Sequence, residues 1–306
     1  MLSLHTNIAA LNTKSNMNST QGALSNSMTR LGTGLRINSA MDDAAGLQIA
    51  TRLDAQSRGM NVAMKNAQNG ISMLQTAEGA LNEVTNILQR MKDLGTEGAT
   101  ATATADDKKA MQAEYDALGK ELTNIMKNTS FGGEKLLQGG KLTQELNFQI
   151  GAASTESMTL NLKDNMTGLD TALKSVSSKY EAASATPTTP TTPTTPTTPT
   201  TPTTPATGDA GSEIGDKATI DTISKALDSV GTVRSALGAN ANRLDHVINN
   251  LSNVNNNTLA AKGRIMDTDY ANESSTMTAK QMLMQASTSM LKQSGSMSSL
   301  AMSLLQ

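Results

Sequence analysis

Apolar residues recur at intervals of three, four or seven positions through four long stretches of this chain. That spacing places apolar side chains on one stripe of an α-helix, and such a stripe packs against the stripe of a partner helix. The stripes before residue 130 consist of Met60, Met64, Ala67, Ile71, Leu74, Leu81, Val84, Leu88 and Met91, then Met111, Tyr115, Leu118, Leu122 and Ile125. The stripes after residue 210 consist of Ile220, Ile223, Leu227, Val230, Leu237, Ala241, Leu244, Ile248 and Leu251, then Leu283, Ala286, Met290, Met297, Leu300 and Leu304. The pattern predicts a mainly α-helical protein, built as a long antiparallel coiled-coil bundle of helices.

A second periodicity, of two residues, occurs once between these helical stretches. Apolar and polar residues alternate there in two short runs, with apolar members Leu146, Phe148 and Ile150, then Met158, Leu160 and Leu162. Alternation of this kind is typical of a half-buried strand, and the intervening sequence GAASTE can form a turn. The sequence therefore predicts one small β-hairpin region.

Two short motifs predict where helices begin. Thr104 and Asp107 have the spacing of a capping box, with Asp in place of the usual Glu or Gln. Asn38 or Ser39 is expected to cap a helix whose first turn holds the aspartate pair at 42–43, because carboxylates stabilise a helix N-terminus. A metal site at that pair is the alternative, but no further carboxylate or His lies nearby in the sequence.

All seven prolines lie between residues 187 and 205, in a strict Thr-Thr-Pro repeat. Proline at every third residue matches the three-residue turn of polyproline II, an extended and semi-rigid conformation. The tract has no large apolar side chain and therefore cannot build a core. We interpret it as an inert spacer, and a threonine-rich O-glycosylated stalk is the alternative.

The composition excludes most classes of catalytic and metal-binding site. Aromatic residues make up 2% of the chain, while Met is plentiful at 19 residues, and this balance favours helices over a wide sheet. The absence of Cys excludes disulfides, thiolate metal sites and cysteine nucleophiles, and only two His are present. Nucleotide-binding, hydrolase and zinc-protease motifs are missing. We therefore expect neither an enzyme nor a bound cofactor, and the net charge of −2 indicates neither a nucleic-acid nor a membrane partner.

The two ends of the chain are almost free of acidic residues. The first 41 residues contain no Asp or Glu, and neither do the 33 residues after Glu273. An acid-poor beginning is also typical of an organelle transit peptide, but the matching end favours two parts of one structural unit. The longest apolar run near the start is Ile8–Leu11, whereas a bilayer span needs about 20 residues. Neither a membrane span nor a cleaved secretory signal is therefore expected.

Several long motifs resemble the conserved regions of bacterial flagellins. They are LRINSAMDDAAGLQIATR at 35–52, NAQNGISMLQTAEGALNEV at 66–84, FQIGA at 148–152 and the whole tail from Arg264. The resemblance covers approximately residues 1–165 and 215–306. It leaves out the Thr-Thr-Pro tract, which lies where flagellins carry their variable outer domain.

The resemblance implies a division of the chain. Residues 1–35 and 270–306 would be the N-terminal and C-terminal filament-core helices, which pair with each other and are expected to be disordered before assembly. Residues 36–185 would form a conserved helical domain with its hairpin, 186–207 the spacer, and 208–269 the returning helix. The filament-core seam would consist of Leu4, Ile8, Leu11, Leu24, Met28, Leu31, Leu283, Met290, Met297, Leu300 and Leu304.

The implied function is that of a structural subunit, which polymerises into the flagellar filament for swimming or swarming motility. Such a subunit leaves the cell unfolded by type III export and becomes part of an extracellular filament. Its expected partners are further copies of itself, an export chaperone, the filament cap and the hook–filament junction proteins. A junction protein or a secreted translocator is the alternative. A protease-bearing flagellin is not supported, because both HExxH and a folded insert are missing.

The resemblance also implies recognition by host innate immunity. Flagellins sensed by the flagellin-specific Toll-like receptor carry a helical motif similar to QRVREL and a Glu on the neighbouring helix. The matching positions here are Gln89, Arg90, Leu94 and Glu114. The alternative is that these are ordinary solvated or subunit-facing residues.

Overall fold

Long helices dominate the computed structural model, which describes residues 8–180, 214 and 216–303. Helices α1 (Ile8–Thr33), α2 (Ala44–Gly98) and α3 (Ala105–Asn128) come first. The middle of the chain contains strands β1 (Ser130–Phe131) and β2 (Glu134–Lys135), a 3-10 turn (Lys141–Thr143), and strands β3 (Glu145–Gln149) and β4 (Ser157–Asn161). Helices α4 (Lys163–Val176), α5 (Lys217–Met266) and α6 (Tyr270–Ser303) follow. The mainly α-helical fold is confirmed, whereas the Thr-Thr-Pro tract lies outside the described residues.

The chain folds into two compact units. The first unit takes both ends of the chain, as far as Arg58 and again from Asn253, and the second unit is Gly59–Ser252. Helices α2 and α5 are long enough to contribute to both units. The two units differ in what holds them together, because the second has a large apolar core and the first has a small one.

The core of the second unit is built by the predicted stripes of α2 and α5. Leu244 lies beside Gly70 and Ile220 lies beside Gly95, so the two helices are antiparallel. Most members of the α2 stripe are buried, and four of the six members of the α5 stripe from Ile223 to Leu244 are buried with them. Complete burial of one such side chain contributes about 1.5–3 kcal/mol, so this stripe contact is the main source of stability of the second unit.

The predicted hairpin is confirmed, in the form of β3 and β4. The strands are antiparallel and pair Leu146 with Leu160 and Phe148 with Met158. Helix α4, which the sequence analysis did not predict, comes directly after the hairpin. Its apolar residues Met166, Leu169, Leu173 and Val176 have helical spacing and are all buried.

Two buried tyrosines hold α4 in place by hydrogen bonds. The Tyr115 hydroxyl on α3 donates to the Val176 carbonyl over 2.7 Å, and the Tyr180 hydroxyl donates to the Asp170 carboxylate over 2.6 Å. Burial raises the pKa of both phenols, and the bond to Asp170 raises that of Tyr180 further. Both phenols therefore stay neutral and act as hydrogen-bond donors at physiological pH.

The start of α2 corrects one prediction. Asp43 caps this helix: its carboxylate accepts from the Gly46 N–H over 2.8 Å, and its carbonyl accepts from the Leu47 N–H. The aspartates at 42–43 therefore precede the helix, and neither Asn38 nor Ser39 is its cap. Asp42 instead accepts from the backbone N–H groups of Asn38 and Ser39, and these bonds lower the pKa of its carboxyl group. The sequence assigned the cap to the wrong residue because several side chains in this run are able to cap a helix.

The predicted capping box at the start of α3 is confirmed. The Asp107 backbone N–H donates to the Thr104 hydroxyl, and the Thr104 backbone N–H donates to the Asp107 carboxylate. These bonds satisfy N–H groups that a helix start otherwise leaves unpaired.

Candidate functional site

The α1–α6 pair is the first candidate surface, and it is antiparallel. Lys280 lies opposite Ser27, and Glu273 lies opposite Arg30. Residues with reduced exposure follow steps of three and four along both helices. On α1 this covered stripe comprises Ala10, Thr13, Met17, Thr20, Leu24, Ser27 and Leu31. On α6 it comprises Glu273, Met277, Lys280, Met284, Ser287, Leu291 and Ser294. The helices therefore pair with heptad geometry through small, polar and only some apolar side chains.

The covered stripes of the single chain coincide only in part with the filament-core seam that the sequence predicts. Leu24 and Leu31 lie in the covered stripe, whereas Ile8, Leu11, Met28, Leu283 and Met290 are exposed. Leu283 and Met290 each come one residue before a covered position, and one residue turns the helix by about 100°. Leu283 and Met290 therefore lie beside the contact with α1 and not within it.

Four further seam residues cannot be placed in the same way. Leu4 and Leu304 lie outside the described residues, and the side chains of Met297 and Leu300 are not described either. The role of all these seam residues in a filament stays a prediction.

Polar contacts lie within the α1–α6 pair. The Lys280 ammonium donates to the Ser27 hydroxyl over 3.2 Å and to the Ala23 carbonyl over 3.4 Å. Ser27 is buried, so this bond lies inside the contact. Arg30 lies 3.7 Å from the Glu273 carboxylate and 3.9 Å from that of Asp42. A polar residue in a helix-pair stripe fixes the register at a cost in stability, and Lys280 fits that role.

The outward flanks of both helices carry large apolar side chains. On α1 these are Ile8, Leu11 and Met28, and on α6 they are Met282, Leu283 and Met290. Each is more than half exposed. Several large apolar side chains exposed on one helix pair are a candidate interaction surface, whereas a single exposed apolar residue is not. We refer to these six residues below as the apolar flanks.

The second candidate surface joins α2 to α3. Both Nε and Nη2 of Arg90 donate to Oε1 of Glu114, over 2.9 and 2.8 Å. The two side chains remain 53% and 46% exposed, and Gln89 beside them is exposed as well. The structure therefore brings together three of the four residues that the resemblance assigned to receptor recognition.

Leu94 does not belong to that surface. It is 1% exposed and packs in the apolar core of the second unit. Leu94 lies three residues after Met91, which continues the buried stripe of α2, so it faces the core and not solvent. Its assignment as an accessible apolar neighbour of Arg90 is therefore wrong for the folded chain.

Within the described part of the chain, neither a metal site nor a membrane-spanning helix is found. No three His, Cys, Asp or Glu side chains there are grouped so that they could hold a metal ion. Over the same residues, no helix has a stretch long and apolar enough to cross a bilayer. His246 is exposed on α5.

Comparison with known proteins shows which family the sequence matches. A family model described as the bacterial flagellin N-terminal helical region matches residues 4–142, and one described as the C-terminal helical region matches residues 220–305. Flagellin A of Vibrio anguillarum is 36% identical over 379 aligned positions, covering 100% of both chains. Flagellin B of Vibrio cholerae serotype O1 is 35% identical, covering 99% of both. A solved Vibrio parahaemolyticus chain, described as a flagellar hook-associated protein, shares the fold at 14% identity and a TM-score of 0.51, covering 74% of this chain and 100% of that one.

Proposed function

This chain belongs to the bacterial flagellins, which are structural subunits of the flagellar filament and not enzymes, and from that premise we propose that the apolar flanks are its polymerisation surface. The observation that carries the proposal is the outward position of Ile8, Leu11 and Met28 on α1 and of Met282, Leu283 and Met290 on α6. Within one chain these side chains stay in water, so another copy is the partner that can bury them.

The energy available from this surface fits a polymer contact. Each large apolar side chain that passes from water into an interface contributes about 1.5–3 kcal/mol. Association costs at least about 4 kcal/mol in lost freedom of motion, so two or three buried side chains offset it. A subunit in a helical polymer touches several neighbours, and each neighbour adds to the same sum.

A further part of the proposal concerns export. The contact between α1 and α6 combines polar residues such as Thr13, Ser27 and Lys280 with apolar residues that remain partly exposed, so it buries only a limited apolar surface in one chain. Helices that lack such burial are weakly stable on their own. We propose that this weakness suits a chain that an export chaperone keeps unfolded, that is secreted through the flagellar channel, and that folds under the filament cap next to the hook–filament junction proteins.

The proposed division of the chain follows the same logic. Residues 1–35 and 270–306 would form the filament core, and residues 36–185 and 208–269 the surrounding helical domain. Residues 186–207 would be an outer spacer. These limits follow the assembly role and differ from the compact units of the single chain, which change at Arg58 and Asn253.

Seeded polymerisation of a flank variant tests the proposal. Leu283→Gln with Met290→Gln removes apolar surface and keeps good helix-forming residues. Gln285→Ala is the matched control, because Gln285 is exposed on the same helix but is not apolar. We expect the double variant to raise the critical concentration for polymerisation at least about tenfold, which corresponds to about 1.4 kcal/mol. Unchanged polymerisation of the double variant, measured by sedimentation and electron microscopy, would contradict the proposal.

A second proposed role is recognition of the released subunit by a flagellin-specific Toll-like receptor. The exposed Arg90–Glu114 pair, with Gln89 beside it, supports this role. Arg is enriched in interface hot spots, and its planar guanidinium group donates several hydrogen bonds at once. Leu94 contributes by packing α2 into the core and not by contact with the receptor.

A further inference from the structure

The methionines whose side chains the structure describes range from fully buried to mostly exposed, and two groups among them matter here. Met60, Met91 and Met126 represent the first group, which is buried in helix contacts. The second group lies on the apolar flanks, where Met28 is 51%, Met282 60% and Met290 65% exposed. Half of the six flank residues are therefore thioethers, and this composition gives the surface a chemistry that leucine would not have.

We propose that Met28, Met282 and Met290 are oxidation sites that control whether the subunit can polymerise. A hydroperoxide such as hydrogen peroxide is the oxidant. This inference rests on the proposed function, since it needs the apolar flanks to be the polymerisation surface.

The reaction balances with hydrogen peroxide alone. A sulfur lone pair attacks one peroxide oxygen, so an S–O bond forms and the O–O bond breaks. The departing hydroxide takes up the proton of the transferred oxygen and leaves as water. Sulfur loses two electrons, and the peroxide gains them. The product, methionine sulfoxide, is polar and chiral where the thioether was apolar and flexible.

Access of the oxidant to sulfur separates the flank methionines from the core methionines. Oxidation follows exposure, so the buried sulfurs in the second unit react slowly as long as that unit stays folded. The flank sulfurs face water in the free subunit. When a neighbouring copy covers the flanks, the same sulfurs become protected, so the free subunit is sensitive and the filament is resistant.

A sulfoxide on the flank opposes polymerisation for a physical reason. Burying a polar group without a hydrogen-bond partner costs free energy, and here the polar S=O replaces a thioether that gained free energy on burial. Oxidation is therefore expected to weaken polymerisation, as the Met290→Gln change is. Met41 provides an internal comparison, because it is 96% exposed but lies in the turn before α2, outside the flanks.

The experiment treats purified monomer with hydrogen peroxide, removes the peroxide with catalase and then adds filament seeds. Peptide mass spectrometry measures oxidation at each methionine. Three proteins are compared: wild type, Met41→Leu, and the triple variant Met28→Leu, Met282→Leu and Met290→Leu. Leu keeps the apolar area and the helix propensity but has no sulfur to oxidise.

We expect oxidation to raise the critical concentration of wild type and Met41→Leu at least tenfold and to leave that of the triple variant within twofold. In preformed wild-type filaments, oxidation at the three flank sites should be at least tenfold slower than in monomer. Equal loss of polymerisation by the oxidised triple variant would overturn the inference. If the triple variant fails to polymerise without treatment, reduction of oxidised wild type by both methionine sulfoxide reductases decides: recovery supports the inference, and no recovery overturns it.

The outcomes also separate this inference from the proposed function. If Leu283→Gln with Met290→Gln blocks polymerisation while oxidised wild type still polymerises, only the oxidation inference fails. If that double variant polymerises normally and the flank methionines oxidise equally fast in filament and monomer, the proposed polymerisation surface fails as well.

Discussion

Replacing Arg90 with Ala tests the receptor role, and the structure sets the size of two separate effects. Arg90 holds Glu114 by bonds of 2.9 and 2.8 Å, but both side chains are about half exposed. An ion pair exposed to this degree contributes about 0.2–1 kcal/mol to stability, and Ala is a good helix former. The free energy of unfolding should therefore fall by less than about 1 kcal/mol. Loss of a hot-spot arginine would instead weaken receptor binding by about 2 kcal/mol or more, which is roughly 30-fold.

The assay measures both effects on the same monomer preparations. A reporter-cell dose response gives the receptor effect, and the urea midpoint gives the stability effect. Arg58→Ala is the matched control, because Arg58 is an exposed arginine on the same helix that pairs with Asp54 one turn away. We expect Arg58→Ala to leave the dose response unchanged. An unchanged response of Arg90→Ala would refute the assignment of Arg90 to the receptor site.

The pairing with Glu114 allows a double-mutant cycle. If Glu114 only positions the Arg90 side chain, Glu114→Gln will weaken sensing in the presence of Arg90 and have no further effect in Arg90→Ala. If both side chains touch the receptor, the two effects will add. The cycle therefore separates a positioning role from a contact role, which the distances alone do not separate.

Three further predictions concern assembly and stability. Deleting residues 283–306 should abolish polymerisation while α2 to α5 keep their helical circular dichroism, because Leu283 and Met290 are lost and the core of the second unit is not. Replacing residues 186–207 with a short Gly-Ser segment should preserve polymerisation and the filament core diameter in electron micrographs, because the Thr-Thr-Pro repeat has no large apolar side chain to pack. Hydrogen bonds lower the pKa of Asp42, Asp107 and Asp269 in the folded chain, so their stabilising effect is complete above pH about 4 and should decline in urea titrations as pH falls further.

Local sequence signals predicted the α2 and α5 stripes and the hairpin of the second unit. The α2 and α5 stripes are long and regular, and the hairpin alternates strictly, so each pattern determines which side chains are buried. The spacing also contained two facts that the sequence analysis missed. Leu94 extends the stripe of Leu88 and Met91 by three residues, which places it in the core. The apolar residues of α4 have helical spacing too, but the run is short and directly follows a strand.

The α1–α6 contact could not be predicted from apolarity. Heptad reasoning assigns the most apolar stripe to the partner helix, which holds when a helix pair must be stable alone. Here the covered stripe contains Ser27 and Lys280, whose hydrogen bond is specific but not apolar. Which stripe of α1 faces α6 therefore also depends on the surfaces that both helices must leave free for other copies. The local sequence of one helix does not contain that information.

The second unit and the α1–α6 pair use their large apolar residues differently. In the second unit the largest apolar side chains are buried by folding, so that unit is stable before assembly. In the α1–α6 pair only part of the large apolar residues lies in the covered stripes, and folding one chain leaves the six residues of the apolar flanks in water. Under the proposed function, free energy from burial of the flanks is released only when another copy covers them. A chain arranged in this way has little tendency to associate through structured ends before it reaches a growing filament. The same arrangement leaves the thioethers of Met28, Met282 and Met290 accessible to an oxidant in the free subunit.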